Sequence, residues 1–346
     1  MIVIDRNGQK ECPEALAATI GFFDGVHLGH RFLIDQLKKV AAEKGLSSAV
    51  ITFRIHPRAV LHADYQPKLL NTWEEKLAQL ATTGVDYCLV LDFTLELSRF
   101  SAAEFITKIL AEAFRVKALL IGYDHRFGHD RAEGFDQYVV YGKALGMDVI
   151  QALPYDNGQT KVSSSEVRRL LAEGEVKQAS VLLSYPYSLK GKIVKGHQVG
   201  RTIGFPTANL SVEDSRKILP GNGVYAVWAV LSGKRYKGML SIGNRPTLDD
   251  GNSQSIEVYL LDFSGDLYGE EIEVSFVSKI RDNRKFPSLA DLKAQLGTDR
   301  CETDRLRGCT VLLCRKYLSL ISWKVTFIQD FCYPSAFLRG IRKDFH

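Results

Sequence analysis

The chain has 346 residues, of which 45% are hydrophobic and 25% charged, and it carries a formal net charge of +5 at pH 7. This is a globular composition, and domain-size scaling makes the chain long enough for two hydrophobic cores. The charge is uneven, because residues 301–346 hold 8 Lys/Arg against 4 Asp/Glu, which leaves 37 against 36 in the first 300. The nearly neutral main body excludes nucleic acid as the evident partner.

The N-terminal sequence and the spacing of the cysteines indicate the cellular compartment of the protein. The first residues, Met-Ile-Val-Ile-Asp-Arg, contain no basic leader before an apolar stretch, and no run of some 18 apolar residues passes without a charge. The cysteines form neither Cys-x-x-Cys pairs nor the Cys/His spacing of a zinc site. The sequence therefore predicts a protein of the reducing cytosol without a membrane partner. The six cysteines are Cys12, Cys88, Cys301, Cys309, Cys314 and Cys332.

In chain order, residues 15–184 alternate β-like apolar runs with segments of helical period. The Thr72–Glu75 and Ser101–Glu104 segments match the capping-box pattern of helix starts. Such alternation predicts a parallel sheet wrapped by helices. The predicted strands are Ala15–Ile20, Ser48–Phe53, Tyr87–Leu91, Ala118–Gly122 and Met147–Leu153. The predicted helices are Leu28–Glu43, Glu74–Ala81, Ala103–Phe114, Asp136–Ala144, Glu166–Ala172 and Glu175–Leu183.

The second half has a different sequence pattern. Tyr185-Pro186 stops the helical pattern, and we place a domain boundary there. Five β-rich runs follow, and Ser232-Gly233-Lys234 between two of them is a hairpin signal. This pattern predicts a small antiparallel barrel, closed so that it has no free edge. The runs are Ser188–Val194, Val224–Leu231, Arg235–Ile242, Ile256–Phe263 and Glu271–Val277, and a capped helix is predicted at Ser288–Leu296.

A glycine- and histidine-rich segment, Gly21-Phe-Phe-Asp-Gly-Val-His-Leu-Gly-His30, joins the first predicted strand to a helix. Its glycines let the backbone approach a phosphate, and the helix N-terminus offers unpaired N–H groups and a partial positive charge. Glycine-rich turns are common and a single histidine is usually structural, but two histidines bracketing Leu-Gly are more specific. The segment predicts an ATP-phosphate site with Gly21, Phe23, Asp24, Gly25, Gly29 and the catalytic candidates His27 and His30.

A serine cluster, Val162-Ser-Ser-Ser-Glu-Val-Arg168, opens a later predicted helix. Its hydroxyls and N–H groups can meet an anion, and Arg168, one turn in, can reach a phosphate from the same end. Alone, such a segment is more often an N-cap with a solvated arginine. Because it accompanies the histidine motif, we assign Ser163, Ser164 and Arg168 to phosphate binding.

The β-rich half contains Gly196-His-Gln-Val-Gly-Arg-Thr-Ile-Gly-Phe-Pro-Thr-Ala-Asn209. Thr207 and Asn209, two apart on an extended strand, can present a hydroxyl and an amide oxygen together. Such hard oxygen ligands suit a magnesium–nucleotide complex, although glycines that merely serve turns are an equal alternative. Glu257 lies on an otherwise apolar run, either as an ordinary outward-facing carboxylate or as the acceptor of a hydroxyl proton.

These segments resemble segments of a known protein family. His-x-Gly-His after the first strand resembles the nucleotidylyltransferase superfamily, and the whole 21–30 string is similar to the bacterial bifunctional riboflavin kinase/FAD synthetase family. Residues 122–128 and 162–168 resemble two further segments of that family, with His125 in place of the more frequent phenylalanine, and serine and valine in place of threonine and isoleucine. The 196–210 string resembles the riboflavin kinase module. Residues 223–225, 241–247, 256–263 and 267–269 follow in family order, so the resemblance spans residues 10–300.

The resemblance implies an α/β Rossmann-like nucleotidylyltransferase domain at 1–184 and a small antiparallel β-barrel riboflavin kinase domain at 185–300. It implies phosphorylation of riboflavin by ATP to FMN, then transfer of AMP from a second ATP to FMN, with Mg²⁺. Glu257 would be the kinase base, and Thr207 and Asn209 would engage the metal. Further implied contacts are Gly196, Gly200, Arg201, Gly204 and Pro206 for ATP, and Asp124, Phe127, Asn244 and Arg281 for flavin. A loop-capping role for Asp124 and a solvated turn at Arg281 are the alternatives.

Two other functions stay open at this point. His-Leu-Gly-His marks only the nucleotide half, so the acceptor could be another phosphorylated compound; alternatively, the chain is a flavin-binding carrier or regulator with inactive sites. A weak homo-oligomer is compatible with the sequence.

Residues 301–346 do not resemble the family and hold four of the six cysteines. We interpret them as a frameshifted, read-through or fused tail.

Overall fold

The structure is a computed structural model that describes residues 1–5, 14–62, 64, 66–123, 126–129, 133–156, 158, 161–195, 204–244 and 254–305. Residues 1–304 form one compact unit, which contains nearly all of the described chain. No helix within these ranges is both long and apolar enough to cross a membrane.

The first half contains a parallel sheet. Its strands are β1 (Ile2–Asp5), β2 (Leu16–Ile20), β3 (Ser47–Thr52), β4 (Tyr87–Val90), β5 (Val116–Ile121) and β6 (Asp148–Gln151). All pairings are parallel, and the six strands lie in the order β1-β4-β3-β2-β5-β6. The predicted parallel sheet is therefore confirmed. The edge strand β1 has no predicted counterpart, because four residues are too few for a period to stand out.

Helices cover both faces of this sheet. Alternate residues of β3 show this arrangement, since Val50 packs with Ile34 and Leu80, whereas Ile51 packs with Ile106 on the other face. Both predicted capping boxes form. The helices of the first half are α1 (Leu28–Lys44), α2 (Pro57–Leu61), α3 (Trp73–Ala81), α4 (Ala102–Glu104), α5 (Phe135–Ala144), α6 (Ser164–Ala172) and α7 (Val176–Leu183), with a 3₁₀ turn at Leu97–Arg99.

The helix predicted at 103–114 differs from its expected form. It is α-helical only over α4 and continues as a π-helix over Phe105–Ala113. The Phe114 N–H donates to the Ile109 carbonyl five residues earlier, at 3.0 Å. The wider turn places Phe105, Ile109 and Leu110 in the core beneath the sheet. Sequence period alone does not separate this form from an α-helix.

The sheet order fixes where a ligand would enter. From β2 the chain continues to β3 and β4 on one side and later to β5 and β6 on the other, so the order reverses at β2. In open parallel sheets, ligands bind in the crevice outside the carboxyl ends of the strands at such a reversal. The histidine segment begins at Gly21, directly after β2.

The second half is a closed barrel, as predicted. Its strands are β7 (Ser188–Val194), β8 (Ala208–Val212), β9 (Gly223–Leu231), β10 (Lys234–Asn244), β11 (Gln254–Leu260) and β12 (Glu271–Arg281). The barrel order is β10-β11-β8-β7-β12-β9, and its six pairings are all antiparallel. Closure removes the free edges that an open sheet of these strands would expose.

Helices α6 and α7 belong to the hydrophobic cluster of the barrel. Leu171 and Leu183 from these helices pack in one cluster with Tyr187, Tyr225 and Phe276 of the second half. The backbone also approaches closely here, because a Cβ added to Gly221 would lie 2.3 Å from the Ala172 carbonyl oxygen. The predicted boundary between residues 184 and 185 thus runs through a continuous core.

A second connection joins residues 66–75 to the loop after β8. Leu69 forms an isolated parallel bridge with Lys217, and the Leu69 N–H donates to the Arg216 carbonyl at 2.7 Å. The buried Lys217 ammonium donates to the Leu70 carbonyl at 2.8 Å and forms an ion pair with Glu75. These polar contacts connect the two halves in addition to their shared hydrophobic core.

The last described helix, α8, spans Leu289–Arg305. Its predicted end at Leu296 is wrong, and the helix continues across residue 301. Its buried residues are polar: Asp299 and Thr303. Asp299 is 0% exposed and binds the Arg281 guanidinium of β12, which fixes α8 to the barrel. Residues 306–346 of the predicted tail lie outside the described residues.

Candidate active sites

The turn after β2 is strained. Phe23 (φ 54°), Gly25 (φ 82°) and Val26 (φ 36°) all have left-handed backbone conformations. Such conformations are costly for a phenylalanine and a β-branched valine, and they persist only where surrounding contacts impose them. One such contact is made by the buried Asp24 carboxylate, which accepts the Leu70 and Asn71 N–H groups at 3.0 and 3.3 Å. The Phe23 ring is buried, so contact with a phosphate would use its backbone.

His27 and His30 face each other at the start of α1. Their rings stack with centroids 3.7 Å apart and planes 14° apart. His27 is the N-cap, and its Nδ1 accepts the His30 N–H at 3.3 Å. Because Nδ1 is an acceptor, neutral His27 carries its proton on Nε2. Within the described chain, the buried Nδ1 of His30 has no hydrogen-bond partner, and a phosphate oxygen would supply one.

Burial keeps both imidazoles neutral. It lowers the pKa of His27 from 6.5 to about 4, and the Arg168 charge acts in the same direction. Burial also holds the pKa of His30 well below its ordinary value, with further lowering by His27 and Lys76. At neutral pH each ring therefore offers one N–H group as a donor rather than a full positive charge.

Acidification from about pH 7.5 to about pH 5 is expected to destabilise the fold by roughly 2 kcal/mol through His27. The folded pKa of about 4 lies below the ordinary 6.5, so the unfolded chain binds a proton in this range that the folded chain does not. Urea unfolding of His27→Asn, which keeps an N-cap acceptor, should show a smaller loss. The exposed His62→Asn is the control. Identical pH dependence of His27→Asn and the unmodified protein would contradict a buried, neutral His27.

The N-terminus of α6 meets the same turn. Ser163 caps the helix by accepting the Glu166 N–H at 3.2 Å, and the Ser164 hydroxyl donates to the Asp24 carbonyl at 2.9 Å. Arg168 forms an ion pair with the Asp24 carboxylate and donates from Nε to the Lys68 carbonyl at 2.8 Å. The histidine pair, the serine cluster and Arg168 therefore lie together, around an aspartate that supports the turn. Their contacts with phosphate stay a prediction.

Lys76 is a candidate that sequence reasoning missed. It lies on α3, is 3% exposed, and its Nζ donates to the Phe22 and Phe53 carbonyls at 3.1 and 2.9 Å. A lysine within Glu-Glu-Lys on a helix usually has a solvated ammonium, so the sequence offered no signal. Only the fold shows that two strand ends surround it.

Two residues of this half, Asp124 and Phe127, are predicted to contact flavin, and the structure describes one of them. Phe127 is buried, and its ring stacks on Tyr138 with centroids 4.2 Å apart. It packs in the core of the sheet, so a contact with flavin would require its backbone or a local rearrangement. Asp124 lies outside the described residues.

The barrel brings Glu257 to the Pro-Thr-Ala-Asn segment. The Thr207 hydroxyl donates to Glu257 Oε2 at 3.3 Å, and Asn209 pairs with Glu257 across β8 and β11. Glu257 is half-buried on the outer face, because its neighbours Ile256 and Val258 point into the barrel core. A hydroxyl, an amide and a carboxylate thus meet on one patch, although 50 residues separate Thr207 from Glu257.

This patch has the donor types of a hard-cation site. Hydroxyl and amide oxygens suit Mg²⁺, and the carboxylate beside them suits a proton acceptor. The described residues contain no group of three or more His, Cys, Asp or Glu placed to hold a metal. Gly204 and Pro206 are exposed just before Thr207. Gly196, Gly200 and Arg201 lie outside the described residues.

The two remaining flavin candidates are partly occupied by protein contacts. Exposed Asn244 ends β10 and accepts a hydrogen bond from Asn222 at 3.3 Å. Arg281 donates from Nε to both Asp299 oxygens and from Nη1 to the Asp282 carbonyl at 3.1 Å. Its guanidinium anchors α8, and a role toward flavin would come in addition to this ion pair.

Comparison with known proteins gives two family matches in succession. The FAD synthetase family matches residues 9–166, and the riboflavin kinase family matches residues 183–306. The bifunctional riboflavin kinase/FMN adenylyltransferase of Listeria monocytogenes is 39% identical over 285 residues, covering 82% of this chain and 90% of that relative. The Escherichia coli K12 protein of the same name is 39% identical over 298 residues, covering 86% and 94%.

A solved structure is also similar over most of the chain. It is titled as a macrolide-efflux protein from Streptococcus pneumoniae, and it aligns with a TM-score of 0.80 and 32% identity, covering 88% of this chain and 99% of that one. The fold and these matches define the class of protein: an enzyme with a Rossmann-like nucleotide-transfer half followed by a kinase barrel. The chain belongs to the family of bifunctional riboflavin kinase/FMN adenylyltransferases.

Proposed function

We infer that this chain phosphorylates riboflavin with ATP to give FMN and ADP, and then transfers AMP from a second ATP to FMN to give FAD and pyrophosphate. The observation that carries this inference is the match of both family domains, in order, on one chain. Each half also contains a cluster of the residues predicted for its step: the histidine pair at the sheet reversal, and the Thr207–Glu257 patch on the barrel.

For the kinase step, we propose that Glu257 accepts the proton of the primary hydroxyl of riboflavin. An alcohol is a poor nucleophile until that proton leaves, and the freed oxygen then takes the γ-phosphoryl group while ADP departs. The hydrogen bond from Thr207 orients the carboxylate, and its half-buried position leaves it accessible. Asn209 lies opposite Glu257 in the pairing of β8 with β11, and we assign it to the nucleotide.

For the adenylyl step, an oxygen of the FMN phosphate attacks the α-phosphorus of ATP, and pyrophosphate leaves. No covalent enzyme intermediate is needed, so the protein contributes alignment and neutralisation of charge. We assign this neutralisation to the N–H groups of His27 and His30, to the α1 and α6 N-termini, and to Arg168. Ser163 and Ser164 complete the anion-binding end of α6.

We further propose that Mg²⁺ acts with ATP in both steps and that Thr207 and Asn209 hold it at the kinase site. The metal would neutralise charge on the phosphates as the phosphoryl group moves. The support is the donor chemistry of the patch, where two neutral oxygens stand beside a carboxylate. We also propose a cytosolic location, because the cysteines of the sequence have neither Cys-x-x-Cys pairs nor the spacing of a zinc site.

Purified protein supplied with riboflavin, ATP and Mg²⁺ is expected to form FMN first and FAD afterwards. Chelation of the metal should lower FMN formation by about 100-fold or more, and added MgCl₂ should restore it. Chromatographic separation of the flavins and an assay of pyrophosphate release follow the two steps. Riboflavin that binds but stays unchanged would favour the carrier function instead, and adenylyl transfer to another phosphorylated acceptor but not to FMN would favour the other alternative.

A further inference from the structure

Lys76 places a buried positive charge beside the histidine turn. Its Nζ contacts two backbone carbonyls and lies 3.9 Å from the centroid of the Phe22 ring. In the described part of the chain, no carboxylate lies within ion-pair distance of this ammonium. Taking a charge out of water is costly unless other groups compensate it, so an ammonium with this surrounding requires an explanation.

The two carbonyls give the ammonium a specific position. Phe22 follows β2 and Phe53 follows β3, and these strands are parallel neighbours at the sheet reversal. Lys76 therefore ties the two strand ends at the mouth of the crevice. The Thr52 hydroxyl donates to the same Phe22 carbonyl at 3.2 Å. The segment held in this way leads directly into the strained turn that begins at Phe23.

Among the described residues counted at the histidine turn, positive charges outnumber negative ones. Asp24 is the buried carboxylate of the turn, and its oxygens accept two backbone N–H groups and the Arg168 guanidinium. One carboxylate therefore faces two cations, Arg168 and Lys76. An anionic ligand at the carboxyl ends of β2 and β3 would complete the compensation, and the triphosphate of ATP has the required charge.

We propose that Lys76 is a positioning residue for adenylyl transfer, which fixes the histidine turn through the Phe22 carbonyl and provides the positive potential that attracts the ATP phosphates. This inference rests on the proposed function, because it concerns the same site. Lys76 acts through the turn and through its field, and it need not touch the reacting phosphorus.

The groups around Lys76 show which one changes charge in the alkaline range. Asp24 faces it from the turn, His30 from α1, His56 from the start of α2, and Cys88 from β4. Burial raises the pKa of Cys88 to about 12 and lowers those of both histidines. Burial also lowers the pKa of Lys76 to about 8, so Lys76 is the member of this set that loses charge just above neutrality.

The test measures kcat/KM for ATP with supplied FMN between about pH 6.5 and about pH 9.5, because this ratio reports the free enzyme. The unmodified protein should lose activity above about pH 8, whereas Lys76→Arg, which stays charged, should not. Lys76→Met should lower kcat/KM by about 10- to 100-fold at neutral pH and abolish the alkaline decline, since a bond from a charged group is lost.

Two controls distinguish a positioning role of Lys76 from an effect of the substitution on folding. Lys39→Met removes an exposed lysine of α1 and should leave the profile unchanged. FMN formation from riboflavin, measured on every variant, shows that the chain is folded. Full activity of Lys76→Met, or an unchanged alkaline decline in Lys76→Arg, would overturn the proposal while the proposed function stands. Failure of the unmodified protein to convert FMN to FAD would overturn both. Should Lys76→Met not fold, the profile of Lys76→Arg decides.

Discussion

Glu257→Gln is expected to lower FMN formation by about 100- to 10,000-fold and to leave FAD formation from supplied FMN unchanged. Glutamine keeps the shape of the side chain and the partner for the Thr207 hydroxyl, but it does not accept a proton from the substrate. Because the barrel fold is preserved, riboflavin binding should remain within a few-fold of the unmodified protein. Initial rates of the two steps, measured separately by flavin chromatography, give the comparison.

Glu273→Gln is the matched control for this experiment. Glu273 is a half-buried glutamate on the outer face of β12, between Ile272 and Val274 of the barrel core. Its replacement changes net charge by the same amount without touching the Thr207–Glu257 patch. Comparable losses of FMN formation in both variants would argue for a general electrostatic effect. Undiminished FMN formation in Glu257→Gln would exclude Glu257 as the proton acceptor.

Asp299→Ala is expected to lower the free energy of unfolding by about 3–5 kcal/mol. The Asp299 carboxylate is 0% exposed and binds Arg281 Nη2 at 2.9 Å and Gln295 Nε2 at 2.7 Å. Removal of the carboxylate leaves the Arg281 guanidinium only partly compensated against the barrel. Urea unfolding followed by fluorescence provides the measurement.

Arg300→Ala on the same helix is the control, because its ion pair with Asp262 is exposed on both sides and should contribute about 0–1 kcal/mol. The double variant Arg281→Met/Asp299→Leu should recover part of the lost stability, since it removes both buried charges. A small effect of Asp299→Ala, similar to that of Arg300→Ala, would mean that α8 is held by other contacts. Arg281 would then be free to act mainly in ligand binding.

The general architecture could be predicted because it depends on local patterns. The alternation of apolar runs with helical periods predicts the parallel sheet, and the capping boxes at Thr72 and Ser101 mark helix starts that the structure forms. The closed barrel follows from β-rich runs with short turns. Strand β8 and the full length of α8 were less evident: β8 is short and adjoins a glycine-rich loop, and the buried side of α8 is polar at Asp299 and Thr303.

The sites were only partly predictable, because their assembly depends on tertiary contacts. The histidine motif, the serine cluster and the Thr207–Glu257 patch contain chemically distinctive residues, so a sequence reveals them as candidates. Lys76 and Lys217 look like surface lysines, and only the fold shows the carbonyls that surround each ammonium. The motif predicts a phosphate role for Asp24, and the structure shows in addition that its carboxylate accepts hydrogen bonds from the backbone of Leu70 and Asn71.

Helix α6 serves both halves at once. Its apolar side, with Val167 and Leu171, closes the core of the barrel, while its first residues stand at the histidine turn. A gene fragment that starts after residue 184 would therefore yield a barrel with an open hydrophobic flank. Warming that loosens the barrel would also displace Ser164 and Arg168 from the nucleotide turn. The two activities should consequently be lost in one cooperative transition, and separating them into independent enzymes would require a new covering for the barrel.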